Sequence, residues 1–459
     1  MTLPQKEEKI NTKINFGSGA FKKYFANTSW LFAERIIRIL INFIVTVYIV
    51  RYLGPKDFGL LSYAISFVAL FATIATIGLD NIVVRELVKN PDKKNYLLGT
   101  AFGLRLAGAI SSILLIVLTV FSIHENSFDI WLILIISLTN IFQSFNVVDF
   151  YFQSKVLSKF SVIVQSLSLI ISSIIKILLM IFKYQLIYFA VATTLESFLL
   201  ALGFIIVYRI NGEKIFNWKF DKLLSISLFK DSWPLILSGI AIAVYMKIDQ
   251  VMLKYMLNDV EVGYYAVAVK LSESWYFIPV AIVSSLFPAI INAKGSDEKL
   301  YKSRLQKLYD LLALISIGIA LPVTFLSKFI ISILFGNSYL PSAPVLTIYI
   351  WAGVSVFLGV ATNQFLVTEN FTRLIFYRTF AGMILNVILN LILIPVMGIT
   401  GSAVATLLSY SLSGFFMGFS ERILYQYWMV LKAILLLDVV FFTKNFLFLK
   451  NYDTKKFKK

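Results

Sequence analysis

The sequence predicts an all-α polytopic membrane protein, with about twelve transmembrane helices in two parallel-repeat six-helix lobes around a central cationic cavity. Three observations predict it. Of 459 residues, 59% are apolar and only 15% charged, against roughly 45–50% and 25% in an ordinary soluble domain. Apolar runs recur from Trp30 to Leu449, many of them long enough to cross a bilayer, which takes about 20 residues. Matched segments also recur half a chain apart. Together with a mean hydropathy of +0.82, these features exclude a cytosolic enzyme, a secreted domain and a nucleic-acid binder.

The N-terminal tail, 1–29, is polar with scattered lysines and has no apolar signal-peptide stretch, so the first span is expected to be its own anchor. Spans are predicted at 30–52, 58–80, 97–122, 129–152, 160–182, 186–208, 233–256, 262–290, 308–331, 343–368, 374–395 and 400–421. Breaker clusters such as Gly54-Pro55-Lys56-Asp57 and Asn90-Pro91-Asp92-Lys93-Lys94 separate them. The first lobe is then 30–210, a charged linker is 211–232, and the second lobe is 233–424. Pro279, Pro288, Pro322 and Pro395 all fall in the second lobe and none inside the first six spans, which predicts more bent helices there.

Charge placement gives the orientation. Lys and Arg in alternate loops divide 31 against 5, which makes the richer side cytoplasmic and puts both termini there. Arg373 and Arg378 are counted on that side. The last segment, 425–459, is apolar and then Lys-rich. Lys432, Asp438 and Lys444 fall on different faces of a helix, and a thirteenth span would carry Lys455, Lys456, Lys458 and Lys459 to the poorer side. The segment is therefore expected to be cytoplasmic or interfacial.

The second span opens with Asp57-Phe58-Gly59-Leu60 and the eighth with Glu261-Val262-Gly263-Tyr264; the sixth carries Ala190-Val191-Ala192-Thr193 and the twelfth Ala403-Val404-Ala405-Thr406. Short matches carry little weight in so biased a composition, but here second pairs with eighth and sixth with twelfth. Six spans per half is even, so the repeats run parallel, with a pseudo-twofold along the membrane normal and a cavity between the lobes.

Ionisable side chains within spans are costly and are functional candidates by default. The basic set expected to line the cavity is Arg35, Arg38, Arg105, Lys176, Lys247 and Lys270. Arg35, Arg38, Asn42 and Thr46 form one stripe running inward along the first span, suited either to receiving an anionic headgroup or to snorkelling to lipid phosphates. Arg105 shares a face with Ala101, Gly108 and Ser112, small residues that let another helix approach. Lys176 shares one with Ser172 and Gln165, and Lys247 lines up with Gln250 while Asp249 projects nearly opposite. Lys270 and Glu273, three apart, can satisfy each other. Asp149, Glu196, Asp249 and Glu273 are candidates to carry a proton or Na⁺. Asn386 and Asn390, one turn apart, read as interhelical glue. The chain has no cysteine and one histidine, His124, so no metal site is expected.

Basic residues outnumber acidic ones among these candidates, so an anion is the expected guest, with Arg and Lys matched to phosphate. The segment from Arg51 through Gly54-Pro55-Lys56-Asp57-Phe58-Gly59 to Ala64 resembles the start of bacterial polysaccharide flippases. Gly78-Leu79-Asp80, Val84-Arg85-Glu86-Leu87, Ile248-Asp249-Gln250-Val251, Val262-Gly263-Tyr264-Tyr265-Ala266, Ser285-Leu286-Phe287-Pro288 and Leu334-Phe335-Gly336 continue it in order. That family belongs to the multidrug/oligosaccharidyl-lipid/polysaccharide exporter superfamily.

The resemblance implies translocation of undecaprenyl-pyrophosphate-linked oligosaccharide from the cytoplasmic to the outer leaflet of a bacterial inner membrane, for O-antigen or capsule assembly. It also implies no catalytic residue and no cofactor beyond a proton or Na⁺ gradient and the membrane potential. Polysaccharide polymerase and chain-length proteins are the implied partners, and nucleic acid is not. No Walker-type loop is present, so no ATPase is expected. A cation-coupled multidrug antiporter of the same superfamily is the alternative, disfavoured by the basic bias. Short outer loops argue against a polymerase or ligase, and the lack of a repeated ring against a channel.

Overall fold

The computed structural model describes residues 18–123, 126–294, 297–415 and 421–437, with side chains from residue 36 onward and from 424 in the last segment. His124 and the Lys-rich tail lie outside the described residues. Ten helical stretches among them are long and apolar enough to cross a membrane. Two of these each hold two antiparallel arms. Ser18–Thr76 breaks at Gly54 and Thr372–Phe415 at Gly398, both glycines with positive φ, 71° and 59°. Counting the arms separately gives twelve crossings.

The first and second spans are the arms of Ser18–Thr76. The third is Lys94–Ile123, the fourth Ser127–Ser154, the fifth Ser158–Ile181 and the sixth Leu186–Ile210. The seventh is Lys222–Met256, the eighth Asp259–Lys294, the ninth Glu298–Phe335 and the tenth Ser342–Thr368. The eleventh and twelfth are the arms of Thr372–Phe415. The turn predicted over four residues at Gly54 is thus made by one, because glycine alone takes this backbone without a Cβ clash.

The linker is shorter than expected. Asp221 caps a helix through Leu224 N–H at 3.0 Å, so the seventh span starts at Lys222 rather than near 233. Asn258 and Asp297 cap the eighth and ninth spans in the same way. Each cap satisfies backbone donors that would otherwise be orphaned at a helix start.

Bending is not confined to the proline-bearing lobe. The eighth span breaks at 274–276, three residues before Pro279. The fourth span also breaks, between Ser137 and Val147, with a 3₁₀ turn at Gln143–Asn146. No proline is involved. The Ser137 hydroxyl donates back to the Leu134 carbonyl at 2.7 Å, and Thr194 of the sixth span donates to the Ile135 carbonyl at 2.7 Å. Hydroxyls that take helix carbonyls in this way bend the helix.

The third span shows how one helix divides its faces. Ala101, Arg105, Gly108, Ser112, Ile116 and Val120 are buried, while Leu114, Leu118 and Phe121 are exposed on the other side. The exposed stripe faces lipid, which costs nothing in a bilayer.

At the hairpin end of the molecule, opposite the linker, the lobes seal against each other. Tyr63 and Tyr255 meet hydroxyl to hydroxyl at 2.7 Å, Tyr339 donates to the Val50 carbonyl at 2.9 Å, and Arg51 donates to the Leu334 carbonyl at 2.7 Å. Lys254 of the second lobe reaches Asp129 of the first at 3.0 Å and also bonds Asp259. At the linker end the lobes meet along the second and seventh spans, where a Cβ on Gly239 would lie 2.3 Å from Thr73. The short helix Glu421–Ile434 packs on the ninth span, with Gln426 bonding Tyr309 and Gln306 donating to the Met429 carbonyl at 3.0 Å.

Candidate functional site

A cavity of about 250 Å³ lies between the lobes, lined by residues of the first, second, fifth, sixth, seventh and eighth spans. Asn42 and Thr46 enter from the first span, so the predicted polar stripe does reach the cavity. Arg38, lower on that stripe, bonds Gln165 of the fifth span, and the side chain of Arg35 lies outside the described residues.

Three lysines line the cavity: Lys176, Lys247 and Lys270. Two carboxylates answer them. Glu196 accepts from Lys176 at 2.8 Å and from Ser172 at 2.8 Å, and Glu273 pairs with Lys247 at 3.4 Å. The expected Lys270–Glu273 pair is not the one formed, because Glu273 turns across to the seventh span. Lys270 is exposed to the cavity and makes no ion pair among the described residues. The cavity therefore carries one cation in excess, a smaller surplus than the sequence suggested, and it is concentrated on Lys270.

Arg105 does not reach this cavity. It is 2% exposed and sits in a separate polar pocket inside the first lobe, lined by Asp80, Asn146, Asp149 and Gln153. Its guanidinium donates to Asp80 at 2.7 Å and stacks on Phe150 at 5.2 Å from the ring centre. Asp149 accepts from Gln153 at 2.9 Å. The sequence could place Arg105 on an inward face, but a helix in a lobe has several inward faces, and only one looks between the lobes.

Asp249 turns into the second lobe, away from Lys247, as its position on the helix requires. It accepts from Tyr265 at 2.6 Å, Thr406 at 2.5 Å and Asn390 at 2.8 Å. Asn386 and Asn390 thus belong to a carboxylate-centred cluster as well as joining helices. Asn386 accepts from Asn390 at 3.2 Å, and Ser402 is fully buried in the same cluster.

Sequence reasoning missed Arg378. Counted among the cytoplasmic loops, it lies instead within the eleventh-span helix and is 3% exposed. Its place near the start of a predicted span hid it, since span ends read from hydropathy shift by several residues.

A two-lobed, twelve-span helical protein with a charged cavity between its lobes has the build of a secondary transporter. Residues 24–294 match the family model described as polysaccharide biosynthesis protein, and 234–392 match the MatE model. The chain belongs to the polysaccharide biosynthesis protein family. It is 26% identical over 227 residues to the probable low-salt glycan biosynthesis flippase Agl15 of Haloferax volcanii, a match covering 47% of this chain and 48% of that protein. The chain thus spans about half the length of that curated relative.

Among solved structures, the fold resembles an inward-facing multidrug resistance MATE family transporter of the MOP superfamily. The TM-score is 0.69 at 12% identity, covering 87% of this chain and 96% of that one. It also resembles the lipid II flippase MurJ in an inward closed conformation, with TM-score 0.66 at 17% identity, covering 91% and 93%.

Proposed function

We propose that the chain is a flippase for lipid-linked oligosaccharides, carrying undecaprenyl-pyrophosphate-linked repeat units across a bacterial inner membrane for O-antigen or capsule assembly. The observation that carries the reading is Lys270, an unpaired cation exposed in a cavity that both lobes line. A pyrophosphate head would lose its hydration in the hydrocarbon core, and a lysine cavity offers point charges in its place. Family membership and the likeness to Agl15 support the glycan class.

In this reading the linker end, rich in Lys and Arg, faces the cytoplasm together with both termini. The hairpin end is the outer gate, closed in this state. The head enters the cavity from inside, the lipid tail stays in the bilayer, and the lobes rock about the site. An inside-negative potential favours outward movement of negative charge by roughly 2.3 kcal/mol per charge per 100 mV. Asp249, with its ring of hydroxyl and amide partners, is the strongest of the four carboxylates for a coupling proton or Na⁺. Asp149 lies in the separate first-lobe pocket beside Arg105 and Asp80, and Glu196 and Glu273 are engaged with lysines. Polymerase and chain-length proteins would take the product at the outer face.

The test is flipping in proteoliposomes with polyprenyl-pyrophosphate oligosaccharides of more than one carrier type, comparing the native chain with Lys270→Gln. Robust flipping by the native chain and a loss of about tenfold or more in the variant are expected. Equal flipping by both would remove Lys270 from the site. Cation efflux without flipping would establish the multidrug antiporter instead.

A further inference from the structure

The second lobe holds a cavity of its own, about 220 Å³, between the seventh, eighth, tenth, eleventh and twelfth spans. Arg378 reaches into it from the eleventh span, six residues or about 9 Å along the helix from Thr372 at 1.5 Å per residue. The residue is 3% exposed, and its Nε and Nη1 are buried with no hydrogen-bond partner. No carboxylate pairs with it among the described residues, and the titratable side chains that act on it are the neutral phenols of Tyr245 and Tyr309.

Other groups lining the cavity point to the same kind of guest. The hydroxyls of Tyr276 and Tyr410 are also buried without a partner. Tyr410 is held in place by stacking on Tyr245, with ring centres 4.2 Å apart. Gly359 opposes the guanidinium, where a Cβ would stand 3.8 Å from Nη2. Asn363, exposed on the tenth span, marks the rim. Among the described residues no Asp or Glu lines this cavity, and Glu273, whose side chain turns to Lys247, is the acid that acts on Tyr276 from outside it.

A guanidinium removed from water without a partner is strongly unfavourable, and proteins retain buried charges when something compensates them. The planar fork of Arg matches the oxygens of phosphate, and hydroxyl donors complete such a shell. From these observations we infer that the second-lobe cavity is an anion site, in which Arg378, Tyr276 and Tyr410 hold one phosphate-class oxoanion. The site is separate from the central cavity, so it stands whether or not the glycan reading holds. Inorganic phosphate and the phosphate of a lipid headgroup present the same chemistry to it.

The experiment uses the full chain in phospholipid-free detergent micelles, titrated with sodium phosphate against sodium chloride at matched ionic strength. Calorimetry and thermal unfolding are read together. A parallel arm reconstitutes the chain in phosphatidylglycerol or phosphatidylcholine vesicles and counts retained lipid by native mass spectrometry. The native chain is expected to bind phosphate, or to retain phosphatidylglycerol selectively, and to melt at a higher temperature with its anion bound. Binding in the first arm identifies a free anion and binding in the second alone a lipid headgroup.

Arg378→Gln should weaken binding by about tenfold or more. The double variant Tyr276→Phe, Tyr410→Phe should weaken it with the charge retained, which keeps the test informative should Arg378→Gln misfold. Lys183→Gln, an exposed lysine outside both cavities, should leave it unchanged. Absence of both phosphate binding and selective lipid retention in the native chain overturns the inference. Binding that survives Arg378→Gln in a Lys270→Gln background, or is lost with Lys183→Gln, also overturns it.

Discussion

Gly59 and Gly263 each receive the backbone of the other's helix. A Cβ on Gly59 would fall 1.8 Å from the Asp259 carbonyl oxygen, and one on Gly263 would fall 2.0 Å from the Pro55 carbonyl oxygen. Each glycine meets a residue four positions before its counterpart, so the contact repeats itself under the pseudo-twofold. The two matched segments that suggested a repeat in the sequence are thus the two sides of one crossing, at the hairpin end where the lobes close.

This crossing predicts what a side chain there would do. The opposing atoms are backbone and cannot swing aside, so Gly59→Val or Gly263→Val should prise the hairpin end open while leaving each lobe folded. The chain has no native cysteine, so a single Ser62→Cys in the cavity reports directly. Labelling by a membrane-impermeant maleimide from the outer side should rise several-fold in either glycine variant. Unchanged labelling would mean that the crossing does not gate the cavity.

Lys254 closes the same end by charge. It is 12% exposed and lies between Asp129 of the first lobe, 5% exposed, and Asp259. Removing it leaves two carboxylates facing each other in a poorly solvated place, which costs about 3–5 kcal/mol when a buried pair is broken. Lys254→Met should favour the outward-open state in the same labelling assay. Adding Asp129→Asn should restore much of the closure. A double variant as open as the single one would refute the ion-pair account.

The architecture was legible in the sequence because a bilayer imposes a length and an apolar requirement that composition reveals directly. The lobes were legible through Gly59 and Gly263, whose spacing repeats for a steric reason. Site residues were less so. The helical period tells which face of a span is small or polar, and it placed Lys176, Lys247 and Lys270 with Asn42 and Thr46 on faces that now meet. It does not tell which neighbour that face meets, which is why Arg105 was assigned to the central cavity and lies inside the first lobe. Arg378 was hidden by a charge tally that treats every residue near a span end as a loop residue.

The Asp249 cluster predicts a division between stability and coupling. Its three donors come from the eighth, eleventh and twelfth spans, so the carboxylate ties four spans of one lobe together. Asp249→Leu strands Tyr265, Thr406 and Asn390 in the interior, each at about 1–3 kcal/mol, and should lower the melting temperature markedly. Asp249→Asn keeps the shape and loses the charge. Transport by that variant should no longer respond to an imposed Na⁺ or proton gradient, read in proteoliposomes with each gradient applied alone. A full gradient response in Asp249→Asn would move the coupling role to another carboxylate.

The Arg105–Asp80 pair predicts an asymmetry, because the partners differ so much in exposure. The Arg105 side chain is 3% exposed and that of Asp80 59%. In Arg105→Met, Asp80 returns to water at little cost, and the apolar side chain can occupy the space over Phe150. In Asp80→Ala, the guanidinium stays buried with Nε already lacking a partner, and Asp149 in the same pocket is the acid left to answer it. Asp80→Ala should therefore destabilise the protein by roughly 3 kcal/mol or more and Arg105→Met by much less, measured by thermal unfolding in detergent. Since neither residue lines the central cavity, the well-folded Arg105→Met variant should keep the native chain's apparent affinity for its transported lipid. A selective loss of affinity in that variant would return Arg105 to the substrate path, and equal destabilisation by both changes would show that exposure does not set the balance of this pair.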